Sequence, residues 1–78
     1  MQVMIKDVNG YDGIIEVGGC YYIKDFVKTE SEILKVSKNE FIILSMGNNE
    51  YVKAYVKFYR GAKDIWGSAI EIIGLSTN

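Results

Sequence analysis

The chain has 78 residues, with nine Lys and Arg against ten Asp and Glu, no histidine and a formal charge of −1. A chain this short forms one small core and hides only about 60–65% of the surface it exposes unfolded, which rules out most multi-substrate enzymes, and the near-neutral charge disfavours a nonspecific DNA or RNA binder, which would be basic. Apolar residues make up 49% of the sequence, more than so small an interior holds, so a homo-oligomer or a ligand is expected to cover the surplus.

What is missing narrows the chemistry. Cys20 is the single cysteine and cannot form an internal disulfide, and without histidine the Cys and His sets that hold structural zinc cannot be assembled. Ser-His-Asp and Cys-His catalysis are impossible for the same reason, leaving only carboxylate, Lys, Tyr or Cys chemistry. Glu30 and Glu32 would share a strand face beside a turn, in solvent, and make no catalytic dyad. The expectation is a non-enzymatic protein with no cofactor and no metal. One free thiol fits a reducing cytosol, Met1-Gln2-Val3-Met4 does not resemble a cleaved signal peptide, and the longest apolar runs are four residues, Phe41 to Leu44 among them. A bilayer span needs about 20, so a cytoplasmic location without a membrane partner is expected. The abundance of Ile, Tyr, Lys and Asn reflects AT-rich codons, as in a low-GC bacterial genome or a phage or mobile element living in one.

In chain order, eight glycines and no proline cut the sequence into short segments rich in Val, Ile, Tyr and Phe, which suit half-buried strands. Strands are expected over Gln2–Lys6, Ile14–Val17, Cys20–Lys28, Phe41–Met46, Tyr51–Arg60 and Ile65–Ile73. Turns are expected at Asn9-Gly10, Asp12-Gly13, Gly18-Gly19 and Gly47-Asn48-Asn49. Gly18-Gly19 belongs to neither a G-x-G-x-x-G nor a G-K-[ST] pattern and reads as a turn that needs positive φ. Cys20, with no His, Lys or Arg within three positions, reads as a small buried hydrophobe. Thr29–Asn39 is open between two states: Thr29-Glu30-Ser31-Glu32 has capping-box spacing, while Ile33 to Ser37 could continue a strand, and strand is favoured. Residues 51–60 also fit a helix through Val52, Tyr55, Val56 and Tyr59, but alternation favours a strand with Val52, Ala54, Val56 and Phe58 on one face. Pairing Arg60 with Ile65 around Gly61-Ala62-Lys63-Asp64 sets Tyr59 opposite Trp66 and Val56 opposite Ala69, and leaves Glu71 opposite Ala54 on the inner side, a poor rung. The fold class expected is all-β, with at most one short helix: a small antiparallel meander curling into a barrel or sandwich.

The most informative feature is the stripe Tyr51, Lys53, Tyr55, Lys57 and Tyr59, joined by Arg60 and Trp66 at the hairpin tip. Aromatic rings stack on bases and cations hold phosphates, so Tyr55, Lys57, Tyr59, Arg60 and Trp66 are the candidate ligand-binding residues, with Gly61 offering loop amides beside the guanidinium. The same residue types also make an oligomer interface, or a solvated face with lysine stems lying over tyrosines. Two functions follow. One is a small-ligand binding protein that sequesters a nucleotide-like signal, as a phage or mobile element would against bacterial immune signalling. The other is a protein-interaction module, an inhibitor or small structural subunit, anchored through the aromatic stripe.

Overall fold

The computed structural model describes residues 1–8 and 11–77. Among them six strands form two antiparallel sheets beside one helix. Strand β1 (Gln2–Val8) pairs with β2 (Tyr11–Glu16). The second sheet has the order β3-β6-β5-β4, built from β3 (Cys20–Tyr22), β4 (Phe41–Gly47), β5 (Glu50–Tyr59) and β6 (Ala69–Ser76). The all-β architecture with one short helix is thus present: β4, β5 and β6 run as a meander that curls into a half-barrel, and β3 returns to flank β6. Helix α1 (Glu30–Asn39) and a 3-10 turn at Ile23–Asp25 lie between β3 and β4.

Alternation decides which side chains go inside. Ile42 and Leu44 of β4, Val52, Ala54 and Val56 of β5, and Ile70 and Ile72 of β6 are buried on the concave face. Ile5 and Ile15 from the β1–β2 hairpin, which runs beside β4, join the same cluster, as do Ile23, Phe26 and Val27 around the 3-10 turn and Ile33 and Val36 from α1. The hairpin between β4 and β5 turns through Asn48 and Asn49, both at positive φ (54° and 61°), the backbone a two-residue type I′ turn demands and asparagine tolerates. Gly18, at φ 92°, turns the chain from β2 to β3, and its N–H donates to the Ile72 carbonyl at 2.8 Å, tying that turn to the large sheet.

Several expectations are corrected. Residues 30–39 are helix, not strand, because the capping box at their start is complete: Thr29 Oγ1 accepts the Glu32 N–H at 3.2 Å, and Glu32 Oε1 accepts the N–H groups of Thr29 and Lys28, each at 2.9 Å. The 3.6-residue period then buries Ile33 and Val36 together, which a two-residue period cannot. The Lys28 N–H, before the other contacts, holds the Glu32 carboxyl below the usual glutamate range; desolvation opposes it, and the Thr29 hydroxyl and N–H and the charge of Lys35 add to the lowering. Asp12-Gly13 is not a turn, since both lie within β2 and Gly13 pairs with Ile5. The expected Asn9-Gly10 turn falls outside the described residues. The strand expected over Cys20–Lys28 ends at Tyr22, where the 3-10 turn takes Ile23 into the core. Cys20 is exposed rather than buried, because Tyr21 takes the inward position of this three-residue strand and meets Phe26 edge-on at 6.1 Å.

The β5–β6 hairpin slips by three residues from the expected register. Tyr59 pairs with Ala69 rather than Trp66, Phe58 with Ile70, Lys57 with Glu71 and Val56 with Ile72. The cause is local: Asp64 Oδ1 accepts the N–H groups of Trp66 (2.9 Å) and Gly67 (3.2 Å) and winds Ile65–Gly67 into a 3-10 turn, so β6 begins only at Ala69. At the neck of this loop the Gly61 N–H donates to Ser68 Oγ at 3.0 Å. A Cβ on Gly61 would collide with the Asp64 carbonyl oxygen and lie 2.7–2.9 Å from the Gly67 backbone, so only glycine fits. An odd slip exchanges the two faces of a strand. Ile70 and Ile72 therefore go inward and Glu71 goes outward, which removes the poor rung.

Candidate functional site

The convex face of the four-stranded sheet carries the stripe. On β5, Tyr51, Lys53, Tyr55, Lys57 and Tyr59 alternate with the buried Val52, Ala54 and Val56 and the half-buried Phe58, so strand parity alone sets three tyrosines and two lysines on one open face. Neighbouring strands extend it. Tyr55 pairs with Phe41 and Lys53 with Ile43 on β4, and Tyr59 pairs with Ala69, whose other neighbour is Tyr22 on β3. Tyr22 is 57% exposed, Tyr59 45% and Tyr55 42%.

Three lysines lie over rings here: Lys53 Nζ is 4.2 Å from the Phe41 centroid and 5.0 Å from that of Tyr55, Lys57 Nζ is 5.5 Å from the Tyr59 ring, and Lys24 Nζ is 5.3 Å from the Tyr22 ring. Such contacts are worth about 0.5–1 kcal/mol at exposed sites; they hold ammonium groups beside the rings without desolvating them. Tyr59 donates its hydroxyl to Glu71 Oε1 at 3.1 Å. The Tyr55 ring lies along Gly74, where a Cβ would sit 3.6 Å from it, at the bulge that places Ile73 between the pairs Val56–Ile72 and Tyr55–Gly74. Two open cavities flank the stripe. One of about 470 Å³ is lined by Asn39, Glu40, Tyr55, Val56, Lys57 and Ile73, and one of about 440 Å³ by Cys20, Tyr21, Tyr22, Asp25 and Ala69.

Of the candidate binding residues, the structure brings Tyr55, Lys57 and Tyr59 onto one face, and Arg60 follows directly, exposed at the end of β5. Trp66 sits elsewhere. It is half-buried against the core in the Ile65–Gly67 turn, and its indole Nε1–H donates to Glu30 Oε2 at 3.2 Å, fastening the loop to the first turn of α1. Sequence reasoning passed over Tyr22 and Lys24 as site residues. Only the β3–β6 pairing, between segments some 50 positions apart, places Tyr22 beside Ala69 and Tyr59, and no local pattern encodes it.

No protein-family model, curated protein or solved structure matches this chain. Among the described residues no His, Cys, Asp or Glu come together in threes as a metal site would need, and no helix is long and apolar enough to cross a membrane.

Proposed function

We propose that this chain is a non-enzymatic binding module that takes a nucleotide-like ligand on the convex face of its four-stranded sheet. The observation that carries the reading is the alternation on β5, which sets tyrosine rings and lysine ammoniums side by side on an exposed surface. Rings offer faces to bases at about 1–3 kcal/mol each, and lysines within reach of those rings supply charge-assisted bonds to phosphate oxygens. The chain's formal charge of −1 favours a compact ligand over a long polyanion. Binding is then the whole function: the protein lowers the free concentration of a nucleotide signal, the use a phage or mobile element has for such a module in a bacterial cytoplasm.

A second reading has its own support. Ile43 (50% exposed), Ile73 (57%) and the half-buried Phe41 share the face with the tyrosines, the mixture that anchors protein partners or further copies of the chain. Thermal unfolding in the presence of a nucleotide panel separates the two. A ligand of the native state raises the melting temperature with its concentration. A rise with at least one nucleotide supports the first reading; a flat response across the panel, with light scattering showing self-association or a bound protein, supports the second.

A further inference from the structure

The rung Tyr22–Ala69–Tyr59 runs straight across three strands, and from it we infer a ring-clamping slot in which a nucleobase inserts between the two tyrosines above Ala69. This rests on the proposed nucleotide reading and gives it a location. Strands stand about 4.8 Å apart, so the outer two of this rung lie about 9.6 Å apart, and side chains leave a sheet roughly perpendicular to it. A base between two rings needs two stacking distances of about 3.4 Å, about 6.8 Å in all, so the two rings close on it by leaning about 2.8 Å toward each other, and Tyr59 already leans over β6 to reach Glu71 with its hydroxyl. The floor of the trough is a methyl group, the smallest side chain that the outward positions of β6 carry before the bulge, where Glu71 and Ile73 follow. The open cavity of about 440 Å³ lined by Cys20, Tyr21, Tyr22, Asp25 and Ala69 adjoins it on the Tyr22 side.

The polar groups around the trough define the ligand's chemistry. Glu71, the next outward residue along β6, closes one end and is held there by the Tyr59 hydroxyl at 3.1 Å. Asp25 lines the Tyr22 side. Carboxylates accept hydrogen bonds and donate none, so these two suit an exocyclic amino group or ribose hydroxyls and repel phosphate. The ammoniums of Lys24 and Lys57, 5.3 Å and 5.5 Å from the two clamping rings, stand at the two walls for the phosphate. The ligand class is a nucleoside phosphate whose base bears an amino group.

The test is calorimetric titration of the full chain with AMP, GMP, CMP and UMP, the tightest of which is then titrated into variants. Tyr22→Ala, Tyr59→Ala and Ala69→Leu, the last filling the trough without touching the core, should each weaken binding roughly 5- to 150-fold, the effect of losing one stacked ring. Met4→Ala, exposed on β1 and outside this face, should change it less than about twofold. The Ala69 methyl resonance should move upfield on saturation while those of Ala54, in the core, and Ala62, in the loop, stay in place. If a mononucleotide binds but Tyr51→Ala and Tyr55→Ala weaken it while Tyr22→Ala and Ala69→Leu do not, the slot is wrong and the face reading survives. If none of the four binds the unaltered protein, the slot and the mononucleotide reading fall together.

Discussion

Ser68→Ala removes one oxygen from the point where the β5–β6 loop closes. Ser68 is fully buried, and its Oγ accepts the Gly61 N–H at 3.0 Å. Its backbone is engaged too, the N–H donating to the Ile65 carbonyl at 3.2 Å and the carbonyl accepting the Ile23 N–H at 3.1 Å. Alanine keeps the backbone bonds and nearly the same volume, so the substitution isolates the Gly61 donor. A buried donor left without its acceptor costs about 1–3 kcal/mol, and because Gly61 is only half-buried the lower part of that range applies, about 1–2 kcal/mol. For a domain of this size each kcal/mol lowers the melting temperature by about 4–8 °C, so a fall of about 4–16 °C is expected. Urea unfolding at fixed protein concentration should show a lower midpoint with an unchanged slope, since the surface exposed on unfolding is the same. A fall under about 2 °C would mean that water satisfies Gly61 without help, and that this hydrogen bond does not hold the neck of the loop.

Thr29→Ala removes the side chain that caps α1 and should cost about 1 kcal/mol, read as a loss of stability with the sheet signal intact in circular dichroism. Because the Glu32 carboxyl lies below its ordinary value in the folded chain, its contribution is fully present above the unfolded glutamate value of about 4.3 and is lost as pH falls through the folded one. The stability gap between the native chain and Glu32→Gln should therefore be constant from neutral pH down to about 5 and close below about 4; a gap that widens under acid would contradict the geometry of the cap. Leu44→Ala, fully buried on β4, should cost about 2–5 kcal/mol, whereas Ile43→Ala next to it, half exposed on the convex face, should cost much less, and equal losses in chemical denaturation would mean that the two faces of β4 are wrongly assigned.

Strand content was legible because it is written locally. Alternation across residues 51–59 separates Val52, Ala54 and Val56 from Tyr51, Tyr55 and Tyr59, and the turns at Gly18 and at Asn48-Asn49 follow from residues that accept positive φ. The helix had a visible signal as well, the Thr29 to Glu32 capping spacing; what local spacing does not report is the tertiary packing of Ile33 and Val36 that holds so short a helix. The register of β6 was hidden for a different reason. A four-residue loop and the observed loop differ only in whether Asp64 caps a 3-10 turn, and that capping shifts the partners of Tyr59 to Val56 by three residues and exchanges the faces of the strand. Trp66 moved with it, from the tip of the stripe to a hydrogen bond on Glu30. Tyr22 entered the face through a pairing distant in sequence, which periodicity cannot report.

The proposed function requires that the convex face, and not the hairpin of β1 and β2 or the helix, receive a nucleotide-like ligand. Nuclear magnetic resonance of the tyrosine ring protons during titration with the tightest-binding mononucleotide tests it directly, because a stacked base shifts the rings it touches. Resonances of Tyr22 and Tyr59 should move upfield and saturate together, with smaller changes at Tyr55. Shifts confined to the amides of β1, β2 or α1, or tyrosine spectra unchanged at a nucleotide concentration that raises the melting temperature, would contradict it.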